Sequence, residues 1–184
     1  MSIIEQLNQI PKRFSDETFL SNKGLSNEVG IHVFCYDTND EMIVRSYFES
    51  LKQRSDLSFK IIERDLYKIF LQICEEKRIL KSIPSMEEKK GCEYLLNQLQ
   101  KIATPEVFVE HMKYEPHNYG DILLITGVGK VYPFMRSHKI FDNIQHIFSD
   151  IPIVMLYPGD FNGQELSLFG EFGDGNYYRA FNLL

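Results

Sequence analysis

The composition of this 184-residue chain is sparing in the features that mark specialised environments. There are three cysteines, Cys35, Cys74 and Cys92, scattered and odd in number. They suit a reducing compartment, where a buried thiol behaves as a small hydrophobe. No apolar run approaches the roughly 18 residues that a membrane span needs. The opening Met1-Ser2-Ile3-Ile4-Glu5-Gln6-Leu7 lacks a signal-peptide core, so a cytoplasmic protein is expected. Positive charge is not in surplus: 20 Lys and Arg against 26 Asp and Glu give a formal net charge of −6 at pH 7. No overall basic field would draw in nucleic acid. His32, His111, His117, His138 and His146 form no CxxC- or HExxH-like pattern with the cysteines. There is no Gly-x-Ser-x-Gly elbow, and neither Ser137 nor Cys35 has a sequence neighbour that argues for a nucleophile. Linkers, repeats and low-complexity tracts are missing as well, which leaves a single domain over residues 1–184.

What is present is organised around Asp121-Ile122-Leu123-Leu124-Ile125-Thr126-Gly127-Val128-Gly129-Lys130. A short apolar run bounded by turn residues reads as a strand buried on both faces of a parallel sheet. Ile31–Tyr36, Phe59–Glu63 and Ile151–Tyr157 read the same way, the last stopped by Pro158-Gly159-Asp160. Between them lie helical patterns. Ser2 and Glu5 form a capping box for a helix that Pro11 should end. Phe14–Gly30 reads as a loop or helix fragment. Asp37 and Asp65 cap helices bearing Val44, Phe48 and Leu51, and Leu66, Ile69, Phe70 and Ile73. A helical insertion of about 80–117 includes a second capping box at Ser85 and Glu88, and Ser137 caps the helix after the glycine turn. Leu166–Phe172 and Tyr177–Leu183 alternate around Gly173-Asp174-Gly175-Asn176, a hairpin signal. The expected fold is α/β: a mostly parallel, Rossmann-like sheet with helices on both faces and a C-terminal β-hairpin.

Three places could carry function. Thr126, Gly127, Gly129 and Lys130, followed by Arg136 and His138, make a candidate anion site where a strand turns into a helix. It is not a working phosphate loop. Val131 stands where a magnesium-binding hydroxyl is required, and the first glycine of the motif would fall at Leu124, inside the strand. Asp37, Glu63, Asp65 and Asp160 should all lie at strand C-terminal ends, where they could hold a divalent metal for phosphodiester chemistry or simply cap helices and turns. Tyr177, Tyr178, Arg179 and Phe181 combine residue types that dominate protein–protein contacts, and make a candidate interaction surface.

Four phrases also resemble a known family. They are Phe19-Leu20-Ser21-Asn22-Lys23-Gly24-Leu25-Ser26-Asn27-Glu28, Gly127 through His138, Tyr157-Pro158-Gly159, and Asn176-Tyr177-Tyr178-Arg179-Ala180-Phe181. Together they look like signatures of the BrxB family, small cytoplasmic components of BREX bacteriophage-defence systems. The resemblance implies a role in phage resistance as one part of a multi-protein assembly, with the phosphatase-like PglZ-family protein as the expected partner. It brings no established catalytic residues and no cofactor.

Overall fold

The computed structural model describes residues 1–22, 30–173 and 175–184, so most of the Phe14–Gly30 stretch beyond Asn22 and Asp174 of the predicted hairpin turn lie outside it. Its strands β1 (Ile31–Tyr36), β2 (Lys60–Asp65), β3 (Asp121–Thr126) and β4 (Ile153–Phe161) form where the apolar runs predict them. Three short strands follow: β5 (Leu166–Leu168), β6 (Phe172–Gly173) and β7 (Phe181–Asn182). The seven-stranded sheet has the order β2-β3-β4-β1-β7, all neighbours parallel, while β5 and β6 extend antiparallel from the far end of β4. The expected α/β architecture is present, with an antiparallel hairpin near the C-terminus.

Strand alternation sends side chains to two cores. Phe34, Tyr36, Ile122, Leu124, Val154 and Leu156 face the layer built by α1 (Ile3–Phe14), α2 (Glu17–Leu20) and α3 (Glu41–Lys52). Ile31, Val33, Leu123, Ile125, Ile153 and Met155 face the opposite layer. That layer holds α4 (Leu66–Glu76), α6 (Cys92–Ile102), α7 (Pro105–Met112), α8 (Val128–Val131) and α9 (Ser137–Ile144), with α5 (Ile83–Lys90) at its margin and burying none of its residues fully. Ile122, Leu123, Leu124 and Ile125 have no exposed surface at all. Each such side chain contributes about 1.5–3 kcal/mol by leaving water, which is why this stretch anchors the sheet.

Four local expectations are corrected. Pro11 does not end the first helix, because α1 runs on to Phe14 and buries Ile10 and Phe14 completely. An interior proline costs about 3 kcal/mol; burying two large apolar side chains offsets it. The Ser85–Glu88 capping box does not form either. A 3-10 turn over Leu80–Ser82 runs straight into α5, and the Ser85 hydroxyl donates to the Ser82 carbonyl at 3.2 Å instead. Nor does Pro158-Gly159-Asp160 stop β4, which exchanges partners there. Tyr36 faces Pro158 in parallel register, and the next residue, Gly159, faces Leu168 in antiparallel register. Gly159 permits the exchange because at φ 151° a Cβ would sit 2.1 Å from the Ser167 carbonyl oxygen. Finally, Tyr177–Leu183 does not pair with Leu166–Phe172. The hairpin is made by β4, β5 and β6, and the chain end returns to lie along β1, where the Leu183 N–H donates to the Val33 carbonyl at 3.0 Å.

Candidate functional site

The C-terminal ends of β1, β2, β3 and the parallel part of β4 meet at one edge. The connection after β1 passes under α3 on one face, and those after β2 and β3 pass through α4, α8 and α9 on the other. This splaying opens a crevice at the strand ends, the place where open α/β sheets bind ligands. Two adjoining hollows lie there. A polar one of about 40 Å³ lies among Tyr36, Glu41, Glu63, Asp65 and Thr126. A more apolar one of about 220 Å³ opens beside Gly129, Lys130, Pro158 and Phe169. The first has room for only a few waters.

The turn between β3 and α8 is a single residue, Gly127, at φ 74°. No extended loop of backbone N–H groups is available to wrap a phosphate, in keeping with the failed sequence motif. Both glycines serve close packing. A Cβ on Gly127 would lie 2.4 Å from an Asp65 carboxylate oxygen, and one on Gly129 would lie 2.9 Å from the Phe169 ring. Lys130 lines both hollows, is exposed, and has no hydrogen bond or ion pair among the described residues.

The acids at this edge are engaged in holding the fold. Asp65 accepts from the backbone N–H groups of Tyr67 at 2.9 Å and Lys68 at 3.1 Å, the predicted cap of α4. Asp37 accepts from the Asn39 N–H at 2.8 Å and so caps the 3-10 turn before α3. Glu63 accepts from Thr126 Oγ1 at 2.8 Å and forms an ion pair with Lys52, which also reaches Glu49 at 2.9 Å. Burial pushes the Glu63 carboxyl up, but its bonds to Lys52 and Thr126 outweigh burial and hold it below the ordinary range. The Tyr36 hydroxyl donates to Glu41 at 2.6 Å. Among the described residues, no three His, Cys, Asp or Glu side chains come together in a group able to hold a metal ion. The four acids that the sequence places at strand ends are therefore not one ligand set. A nucleophile fares no better: burial pushes the Cys35 thiol up to about 12, and the Ser137 hydroxyl faces the Tyr178 hydroxyl at 3.3 Å.

The predicted anion site divides. Thr126, Gly127, Gly129 and Lys130 stay at the crevice, whereas the Arg136 guanidinium lies over the Tyr132 ring at 5.2 Å and His138 turns to Asn176, 3.3 Å away. Ser137 does not cap α9, since its side chain is buried and directed at Tyr178. The predicted interaction surface divides as well. Tyr178 is 3% exposed and packs edge-on against Phe141, so it belongs to the core. Phe181 is half-buried beside His32. Tyr177, at 69% exposure, and Arg179 do face outward.

Comparison with known proteins bears on this arrangement. The BREX protein BrxB family profile matches residues 62–183. The chain is 41% identical to a BREX protein BrxB of Bacillus cereus (strain H3081.97) over 99% of its own length and 97% of that protein's. The chain belongs to the BrxB family. A second BREX protein BrxB, from Escherichia coli O9:H4 (strain HS), is 29% identical over 97% of this chain and 90% of the relative. No solved structure matches the chain. The BrxB match begins within β2 and covers the crevice turn, the hairpin and β7, but not β1 or α3, which carry Tyr36, Glu41 and Lys52. Sequence reasoning missed Lys52, the partner of Glu63, and Asp121, whose buried carboxylate accepts from Tyr114 at 3.1 Å and the Asn118 N–H at 3.0 Å. The Glu63 contacts have no local signal, because both partners come from other elements, whereas the partners of Asp121 lie only three and seven residues before it.

Proposed function

We propose that this chain is a non-catalytic adaptor in the cytoplasmic assembly of a BREX bacteriophage-defence system, where it docks onto a larger subunit, the phosphatase-like PglZ-family protein. The observation that carries the reading is the engagement of Glu63, Asp65 and Asp37 in one ion pair and two caps. A general acid or base needs a proton affinity tuned towards neutrality and a free line to substrate; Glu63 is held in the opposite direction by its partners. Tyr177 and Arg179 supply exposed residue types that serve docking. Direct contact with nucleic acid is not part of the proposal, given the net charge of −6.

The test is co-purification of tagged chain from cells expressing the whole defence system. The PglZ-family protein should come down with it, and Tyr177→Ala with Arg179→Ala should weaken that capture while leaving the fold intact. A clean monomer from the same cells overturns the adaptor reading. One observation favours a second reading: Lys130 stands unpaired among the described residues at the strand edge. A non-hydrolysing nucleotide sensor would use it, and ATP or GTP at 100 times its Kd would then add about 2.7 kcal/mol of stability in a thermal shift assay.

A further inference from the structure

The hollow beside Lys130 continues into a band of exposed aromatic surface carried by the β5–β6 hairpin. Phe169, between the two strands, has φ 58°, a left-handed conformation that is strained for a bulky residue. Strain of this kind costs about 1–3 kcal/mol and persists where the surrounding structure imposes it, often at binding sites. Here it directs the ring onto Gly129 and into the wall of the hollow. Phe172 meets Phe169 edge-on at 6.3 Å and stacks at a tilt on Tyr132 at 5.3 Å, and Arg136 covers Tyr132. Phe169 and Phe172 keep 37% and 41% of their surface exposed. Two cations adjoin this band: Lys130 among the residues lining the hollow, and Arg136 over the Tyr132 ring.

The geometry points to this hollow and band as a docking site for a protein segment that inserts one apolar side chain beside a carboxylate. Size selects the occupant. A cavity of about 220 Å³ falls short of the roughly 300–1,000 Å³ of small-molecule pockets, yet accepts a single anchor side chain. Charge selects its neighbour: Glu41, the acid among the lining residues, already accepts from the Tyr36 hydroxyl at 2.6 Å, whereas Lys130 has no partner among the described residues and attracts an anionic group next to the anchor. Val128, Pro158 and Phe169 supply apolar walls, and the aromatic band supplies the flat surface over which such a segment would lie. This rests on the adaptor reading and deepens it by naming a surface distinct from Tyr177 and Arg179.

The experiment titrates the intact chain with N-acetylphenylalanine, its amide and AMP, followed by backbone amide NMR shifts. N-acetylphenylalanine should move the resonances of Gly127, Gly129, Lys130 and Phe169 with millimolar affinity. The amide should bind several-fold more weakly, and Lys130→Gln should abolish that preference without altering the unperturbed spectrum elsewhere. No shift at these residues, equal response to acid and amide, or tighter binding of AMP each overturns the inference. Lys130→Glu and Phe172→Ser are then carried into the co-purification. Undiminished capture of the partner overturns this surface and leaves the adaptor reading standing, whereas absence of capture by the unmodified chain overturns the adaptor reading itself.

Discussion

Glu63, near the end of β2, and Phe169, just beyond β5, border the same edge of the sheet and are held in opposite ways. Glu63 is half-buried, with one oxygen on Thr126 and the other on Lys52. Phe169 is kept partly exposed in a backbone conformation that disfavours it. At this edge Glu63 and Asp65 are tied up in an ion pair and a cap, while Phe169 and Phe172 stay partly exposed. On the adaptor proposal the crevice serves structure and the rim serves contact, and each half can be tested by substitution.

The rim depends on the partner exchange in β4, so the largest effect should come from Gly159. In Gly159→Val a side chain would have to enter 2.1 Å from the Ser167 carbonyl oxygen. A loss of about 3 kcal/mol is expected, as overpacking and backbone strain combine, with β5 and β6 released from β4. Urea unfolding and the amide shifts of the hairpin check this; a loss below about 0.5 kcal/mol, the range of ordinary surface changes, would mean that the close approach does not hold the rim.

Next comes a polar group that is neither engaged nor displayed. His32, on β1 between Phe19 and Phe181, is 5% exposed, and its Nδ1 has no hydrogen-bond partner among the described residues. Burial, with help from the Arg13 charge, lowers its pKa from 6.5 to about 4. Above pH 6.5 the ring is neutral in folded and unfolded chains alike, so it contributes no pH dependence. Between pH 6.5 and about 4 only the unfolded chain takes up the proton, and stability falls as pH falls; below about 4 the loss levels off. At 1.36 kcal/mol for each pKa unit the full loss is about 3 kcal/mol. Unfolding titrations of the unmodified chain and His32→Phe should differ by that pH-dependent part, and parallel profiles would refute the assignment.

How far this could be read from the chain depended on the range of the cause. β1 to β4 and the caps at Asp37 and Asp65 were legible because an apolar run or a cap is written within a few residues. The exchange at Pro158-Gly159 was not, since turn propensity is local while the reason for continuing is Leu168, nine residues on. Tyr178 read as surface because alternation fixes two faces without saying which is covered, and the covering residues, Ser137 and Phe141, come from α9. The candidate site failed in the same manner. Asp37, Glu63 and Asp65 do lie near the ends of β1 and β2, but Asp160 sits within the antiparallel extension of β4 opposite Ser167, and the Lys52 ammonium that neutralises Glu63 comes from the last turn of α3.

Glu63 itself sharpens the contrast at a smaller scale. Removing one partner of a partly buried, hydrogen-bonded ion pair should cost about 1–3 kcal/mol, so Glu63→Gln is expected to destabilise by that much. A catalytic or metal-binding carboxylate behaves otherwise: its removal commonly leaves stability unchanged or improved. The pH dependence has a definite sign. Because the folded Glu63 is held below its usual 4.5, its contribution is complete above that pH and is lost as pH falls through the lowered value. A stabilised Glu63→Gln variant would turn the crevice back into a candidate active site.

The smallest expected effect on stability belongs to the rim, and its smallness is the point. Phe172 is 41% exposed and packs only on Tyr132 and Phe169 among the ring contacts of the described residues. Replacing it by Ser should change unfolding free energy by no more than about 0.5 kcal/mol, while binding to the partner should weaken at least tenfold, as expected where an aromatic anchor is lost from an interface. A residue that serves the fold cannot show this split, because its loss would lower stability and binding together. If Phe172→Ser unfolds as readily as Glu63→Gln, the aromatics are structural and the two halves of the edge do the same job. If it keeps both stability and partner, the exposed rings are incidental. Stability kept and binding lost is the one combination that makes the hairpin a contact surface and the crevice its scaffold.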